Sequence, residues 1–173
     1  MNDDALVRLR AIAHARCAGA GPAHDAQHVE RVTSLARAIA EVEGARVDVV
    51  VAAALLHELV NLPKHHPDAH RSGDWCAEEA ARVLDAEGVA NGEAAAVVAC
   101  IRDHAFSKGA RPTSLEGAIL QDADRLDAIG AIGIARCFAT CAEMQRPFYA
   151  PEDPFCRARA PEDKLWGIDH FYK

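Results

Sequence analysis

Val47–Pro63 reads VDVVVAAALLHELVNLP. Eight apolar residues, Val49 to Leu56, run without a break into His57 and Glu58. A helix lying on a surface keeps a polar face opposite its apolar stripe. This segment has no polar face until its end. It predicts a buried central helix from Val47 to about Val60, limited by Pro63, which delivers His57 and Glu58 to the bottom of a pocket.

On the N-terminal side, Asp3 or Asp4 can cap a first helix that runs to about Cys17 with a stripe of Leu6, Val7, Leu9 and Ala13. The Gly19–Pro22 turn ends it. A second helix is expected from Asp25 to Glu43, with Val29, Val32, Leu35, Ala36 and Ile39 at helical spacing and Gly44 as its stop.

On the C-terminal side, the polar run from Lys64 through His65, His66 and His70 to Arg71 suits a loop over a site. Ser72 or Asp74 can cap a fourth helix ending at Gly88, and Asn91 a fifth ending at His104. Thr113-Ser114-Leu115-Glu116 fits a capping box opening a sixth helix, expected to continue to about Glu143. Arg146–Pro161, with prolines at 147, 151, 154 and 161, reads as a long irregular loop. A last short helix is expected from Pro161 onward. No alternating β-branched run lies between turn signals. The fold class predicted is all-α: one compact, irregular helical bundle over residues 1–173.

Composition narrows the function. A length of 173 residues suits one domain, and its alanine richness favours helices in close contact. The formal charge of −7 disfavours a nucleic-acid polymer as partner. MNDDALVRLR lacks the apolar core of a signal peptide, and the longest apolar run is far short of a membrane span. Six cysteines, at 17, 76, 100, 137, 141 and 156, form no C-x-x-C pair. They read as reduced, small apolar residues of a cytoplasmic protein.

Chemistry is concentrated in the histidines and one acidic cluster. His24 and His28 are four apart and can share a helix face. Asp122, Asp124 and Asp127 interrupt the otherwise apolar stretch Ala118–Phe138, a costly placement without a compensating cation. Imidazole with carboxylate suits a divalent ion such as Mn²⁺, Fe²⁺ or Zn²⁺. His57-Glu58 does not open a zinc-protease H-E-x-x-H, because position 61 is Asn. No G-x-S-x-G elbow, Walker loop or dinucleotide fingerprint is present. Cysteine–histidine catalysis is left open by the spacing, although no cysteine stands in a turn or at a helix start.

The order His28, His57-Glu58, Asp124 resembles the HD-domain superfamily of metal-dependent phosphohydrolases, and more closely a bacterial subgroup of small stand-alone HD hydrolases. The resemblance is carried by His24–Val32, Ala53–Lys64, Asp103–Ser107, Gln121–Gly133, and Glu152–Phe155 with Asp169-His170-Phe171. It implies one divalent ion (Mn, Fe, Mg, Zn or Ni) held by His28, His57, Glu58 and Asp124. It implies a small phosphorylated substrate, nucleotides being the usual class, with Lys64, Arg71, Lys108 and Arg125 placed to contact phosphate. In such a site Asp127, or Asp25, would orient a ligand imidazole, Lys64 would add positive charge, and His104 would protonate the leaving oxygen. Two departures stand out. The family has Asp where this chain has Glu58, and relatives usually continue with further helical chain after Phe171. The first leaves a second function class, a non-catalytic ligand-binding or structural module whose metal site Glu58 has weakened. The second would mean a missing C-terminal extension.

Overall fold

The computed structural model describes residues 1–60, 62, 66–105 and 108–173. Lys64 and His65, and Pro63 as the limit of the central helix, lie outside the described residues. Among those described there are seven α-helices and no strand: α1 (Asp3–Arg16), α2 (Ala26–Glu43), α3 (Val47–Leu56), α4 (Ser72–Ala86), α5 (Asn91–His104), α6 (Leu115–Asp127) and α7 (Gly130–Glu143). No helix is long and apolar enough to cross a membrane among the described residues. The expected all-α bundle is what forms.

α3 is the hub. Val49 through Leu56 are all buried, and α1, α2, α5 and α6 pack around them. Complete burial of each valine or leucine contributes roughly 1.5–3 kcal/mol. Ala52, Ala53 and Ala54, fully shielded at the centre, have side chains small enough for neighbouring helices to approach closely. α4 packs on α5, and α7 sits at the edge against the end of α6.

The central helix stops at Leu56, not near Val60. The reason is a side chain. His57 Nδ1 donates to the Ala54 carbonyl at 2.6 Å, which is the acceptor that the Glu58 N–H would need to continue the helix. α5 ends the same way: His104 Nδ1 donates to the Ile101 carbonyl at 2.6 Å. In both cases an imidazole takes a carbonyl that the last turn would otherwise leave unpaired.

Several expected caps are replaced. Asn2, not Asp3 or Asp4, caps α1 by accepting from the Ala5 N–H, and Val7 faces solvent. α4 and α5 have no side-chain cap. Ser72 instead donates to the Val60 carbonyl at 3.2 Å, pinning the segment that follows Glu58. Asp74 pairs with Lys108. Ser114 caps α6, accepting from the Gly117 N–H, while Glu116 turns away to pair with Arg46. Asp25 and Gly44 close α2 as expected.

The expected long helix from Thr113 to Glu143 is two helices. Gly130 takes a left-handed φ of 67° at the junction, a conformation open to glycine. A Cβ at Gly133 would lie 2.2 Å from the Ala128 carbonyl group, so only glycine lets α7 start this close to the end of α6. The expected last helix from Pro161 is also absent. Turns run to Gly167, and only Ile168–Tyr172 forms a 3-10 helix. This segment is held by Asp169, fully buried, which accepts from Arg159 Nη2 at 2.8 Å and from the Glu162 N–H at 2.7 Å. All six cysteines are free, and all but Cys156 are buried.

Overfilling the hub is expected to be costly. Ala53→Leu should lower unfolding free energy by about 1–3 kcal/mol, read by urea denaturation. The Arg159 hydrogen bond, against the opposing effect of burial, holds the Asp169 carboxyl down to about 2 from 3.8. Its folded pKa is depressed, so its stabilisation is complete above the unfolded value and drains as pH falls through the folded one. In a Trp75→Phe background, Trp166 emission should shift to the red between about pH 4 and pH 2. With Arg159→Ala added, the shift should begin at higher pH; an unchanged onset would mean that this pair does not secure the segment.

Candidate metal centre

Four elements converge on one cluster. His28 lies in the first turn of α2, where the Asp25 carboxylate caps the helix by accepting the His28 backbone N–H at 2.9 Å. His57 and Glu58 follow the end of α3. Asp124 and Asp127 lie on α6, and Arg136 reaches in from α7.

Both buried imidazoles are turned the same way by their outer nitrogens. His28 Nδ1 donates to Asp127 Oδ2 at 2.8 Å, and His57 Nδ1 to the Ala54 carbonyl. Their Nε2 atoms are left facing one another at 3.1 Å. Glu58 Oε1 lies 3.4 Å from His28 Nε2 and 3.8 Å from His57 Nε2. Asp124 Oδ1 lies 3.5 Å and 4.0 Å from the same nitrogens. Two neutral imidazoles in this orientation, both buried, would direct lone pair at lone pair. A proton on one ring or a cation among the four groups resolves the clash. His28, His57 and Asp124 offer donor atoms mutually close enough to hold a metal ion, as do His24, His28 and Glu58. The residues present therefore fit a divalent ion.

The electrostatics follow from burial and partners. Burial pushes His57 down to about 4. Burial pulls His28 the same way, but its bonds to Asp127 and Glu58 outweigh this and raise it above its ordinary 6.5. Burial would raise the Glu58 carboxyl, yet hydrogen bonds from His24 and His28 hold it well below the usual carboxylate range. Asp127 is held far down for the same kind of reason. Burial opposes its charge, but His28, Arg31 and Arg136 all bond it.

The remaining expected residues fall around this centre unevenly. The His104 ring stands edge-on to His57, with centroids 5.3 Å apart. Arg125 is half-buried one residue beyond Asp124, and Asp122 is exposed. Arg71 lies over the Trp75 ring, 5.2 Å from its centroid. Lys108 is engaged elsewhere, 2.9 Å from Asp74 and 3.2 Å from Asp103. Lys64 lies outside the described residues. Of the two acids expected to orient an imidazole, Asp127 does so and Asp25 caps α2.

Sequence reasoning missed two cations and one contact. Arg31 grips Asp127 through Nε at 2.7 Å and Nη2 at 3.0 Å; its i+3 spacing from His28 was a usable signal. Arg136 bonds Asp127 at 3.1 Å and the Ala23 carbonyl at 2.8 Å; reading α6 and α7 as one helix concealed this. The contact is His24 Nδ1 donating to Glu58 at 2.9 Å.

Comparison with known proteins gives the chain a family and a fold. A model of the HD domain matches residues 25–129, a stretch that contains the whole cluster except His24, one residue outside it, and Arg136. YpgQ of Bacillus subtilis is 38% identical over 133 residues, 75% of this chain, and the chain spans 62% of that relative's length. A Lactobacillus plantarum crystal structure superposes with a TM-score of 0.80 at 32% identity, covering 99% of this chain and 81% of that one. YpgQ crystallised in complex with ADP gives 0.70 at 31% identity, covering 98% and 76%. A predicted HD superfamily hydrolase from an uncultured Thermotogales bacterium gives 0.62 at 33% identity, covering 86% and 80%.

In metal-free protein the facing nitrogens should share one proton unequally. At about pH 5.5, below the raised His28 value and above that of His57, His28 should be charged and His57 neutral. Imidazole ¹⁵N shifts check this; two neutral or two charged rings would contradict it.

Proposed function

Because the chain belongs to the HD domain family, we propose that it is a metal-dependent phosphohydrolase acting on a nucleotide or another small phosphate ester or anhydride. The observation that carries this reading is the approach of His28 Nε2 to His57 Nε2 at 3.1 Å, with Glu58 and Asp124 beside them. In this reading His28, His57, Glu58 and Asp124 hold one divalent ion. Mixed nitrogen and oxygen donors suit Mn²⁺, Fe²⁺, Ni²⁺ or Zn²⁺ better than Mg²⁺, which prefers oxygen.

Bound there, the ion supplies a water of lowered pKa and offsets charge on the phosphate oxygens. The protein's own groups do the rest. Asp127 keeps His28 turned with Nε2 inward, and the Ala54 carbonyl does the same for His57. His104, with Nδ1 committed to Ile101, has Nε2 left to carry a proton to the leaving oxygen. Arg71, Arg125 and Lys64 supply positive charge for phosphate. Lys108 joins them only by exchanging Asp74 and Asp103 for substrate. The ADP bound by YpgQ supports a nucleotide as the substrate class. Six free cysteines support a reducing, cytoplasmic setting, and we read residues 1–173 as one functional domain.

Purified protein should contain about one divalent ion per chain by elemental analysis and release phosphate from a nucleoside di- and triphosphate panel with added Mn²⁺. Asp124→Asn should lower kcat/KM at least about 100-fold, since even loss of a ligand's supporting partner costs 10- to 100-fold. Protein that binds no metal and stays inert with Mn²⁺, Fe²⁺ and Mg²⁺ would favour the non-catalytic module instead.

A further inference from the structure

His24 is not among the four side chains assigned to the ion, yet it touches one of them directly. Its Nδ1 donates to Glu58 Oε1 at 2.9 Å. That same oxygen is the one facing His28 Nε2 and His57 Nε2, at 3.4 Å and 3.8 Å. A carboxylate oxygen has two lone pairs, so one can receive the His24 N–H while the other remains directed at the imidazoles. The contact is not incidental to a loose side chain. Glu58 is largely buried, and His24 is three-quarters shielded.

The backbone that presents His24 is fixed on both sides. Its own N–H donates to the Gly21 carbonyl at 2.9 Å. Before it, the Ala23 carbonyl accepts from Arg136 of α7 at 2.8 Å. After it, Asp25 caps α2. Arg136 also bonds Asp127, so the segment carrying His24 and the acid that orients His28 share one guanidinium. Glutamate has three side-chain torsions, and an unheld carboxylate would sample orientations turned away from the cluster. A fixed donor on one oxygen removes that freedom.

We propose that His24 is a positioning residue of the metal centre, its Nδ1–H holding the Glu58 carboxylate with one oxygen directed at His28 and His57. This rests on the metal-centre reading above. The role belongs to the length of this particular side chain. Shortening it by one methylene withdraws the carboxylate from His24, and the two residues cease to be coupled.

The test is a double-mutant cycle on the full chain, with Co²⁺ affinity measured by calorimetry and the visible Co²⁺ spectrum recorded for each variant. His24→Ala should weaken binding roughly 10- to 100-fold, the range for loss of a ligand's supporting partner, and alter the spectrum. His24→Asn, whose amide N–H stands near the position of Nδ1, should bind within about threefold of the parent. In a Glu58→Asp background, His24→Ala should change affinity less than about threefold, a non-additivity expected of groups in contact or in one hydrogen-bond network. Equal losses in both backgrounds, no loss at all, or an Asn variant as weak as the Ala variant would overturn the proposal. Circular dichroism shows which variants keep their helices. If His24→Ala does not fold, His24→Gln, which displaces the donor by one methylene, takes its place in the cycle. A parent protein that binds no Co²⁺ would overturn the metal-centre reading itself, and this proposal with it.

Discussion

Two imidazole nitrogens face one another 3.1 Å apart at the bottom of a helical core. Neither ring can turn away, because each has spent its other nitrogen, His28 on Asp127 and His57 on the Ala54 carbonyl. With both rings buried, their facing lone pairs repel unless a proton or a cation lies between them. That requirement organises the surroundings. Glu58 and Asp124 bring negative charge to the open side. Arg31 and Arg136 absorb the charge of Asp127, so that it serves only to orient His28. Helices α2, α6 and α7 meet through that one carboxylate.

The same chemistry that points the rings also shapes the fold. His57 and His104 each bond the carbonyl three residues back, and each marks the end of its helix. Stopping α3 at Leu56 frees Glu58 from helical geometry and lets it turn toward His24. A helix continued to Val60 would hold residues 57 and 58 about 100° apart around its axis. The short helix is thus a condition of the site, and the alanines within it are the condition of packing four helices around so short a rod.

How much of this was legible in the sequence depended on range. The buried character of Val49–Leu56 was plain, since an apolar run with no polar face has only one stable place. Asp25 and Gly44 were readable as the ends of α2 because capping is settled by adjacent residues. The acids at 124 and 127 were recognisable as costly to bury without compensation. Other features depended on distant groups. Thr113 to Glu116 matched a capping box, but Arg46 claimed Glu116 from across the fold. Ser72 was a plausible cap until Val60 offered its carbonyl. The break before α7 hinged on how closely Gly133 passes Ala128, a contact that helical periodicity does not encode.

By itself, then, the sequence determined an all-helical chain, the buried identity of its central segment, and the presence of residue types that could hold a cation. Local hydrogen bonding and hydrophobic periodicity act over a few residues, so they are written in the order of the chain. Only the tertiary structure decided which acid orients His28, which cations neutralise that acid, and which histidine holds Glu58. These choices link residues far apart in sequence, and the packing of α2, α3, α6 and α7 around one buried point selects among side chains that the sequence alone leaves equivalent.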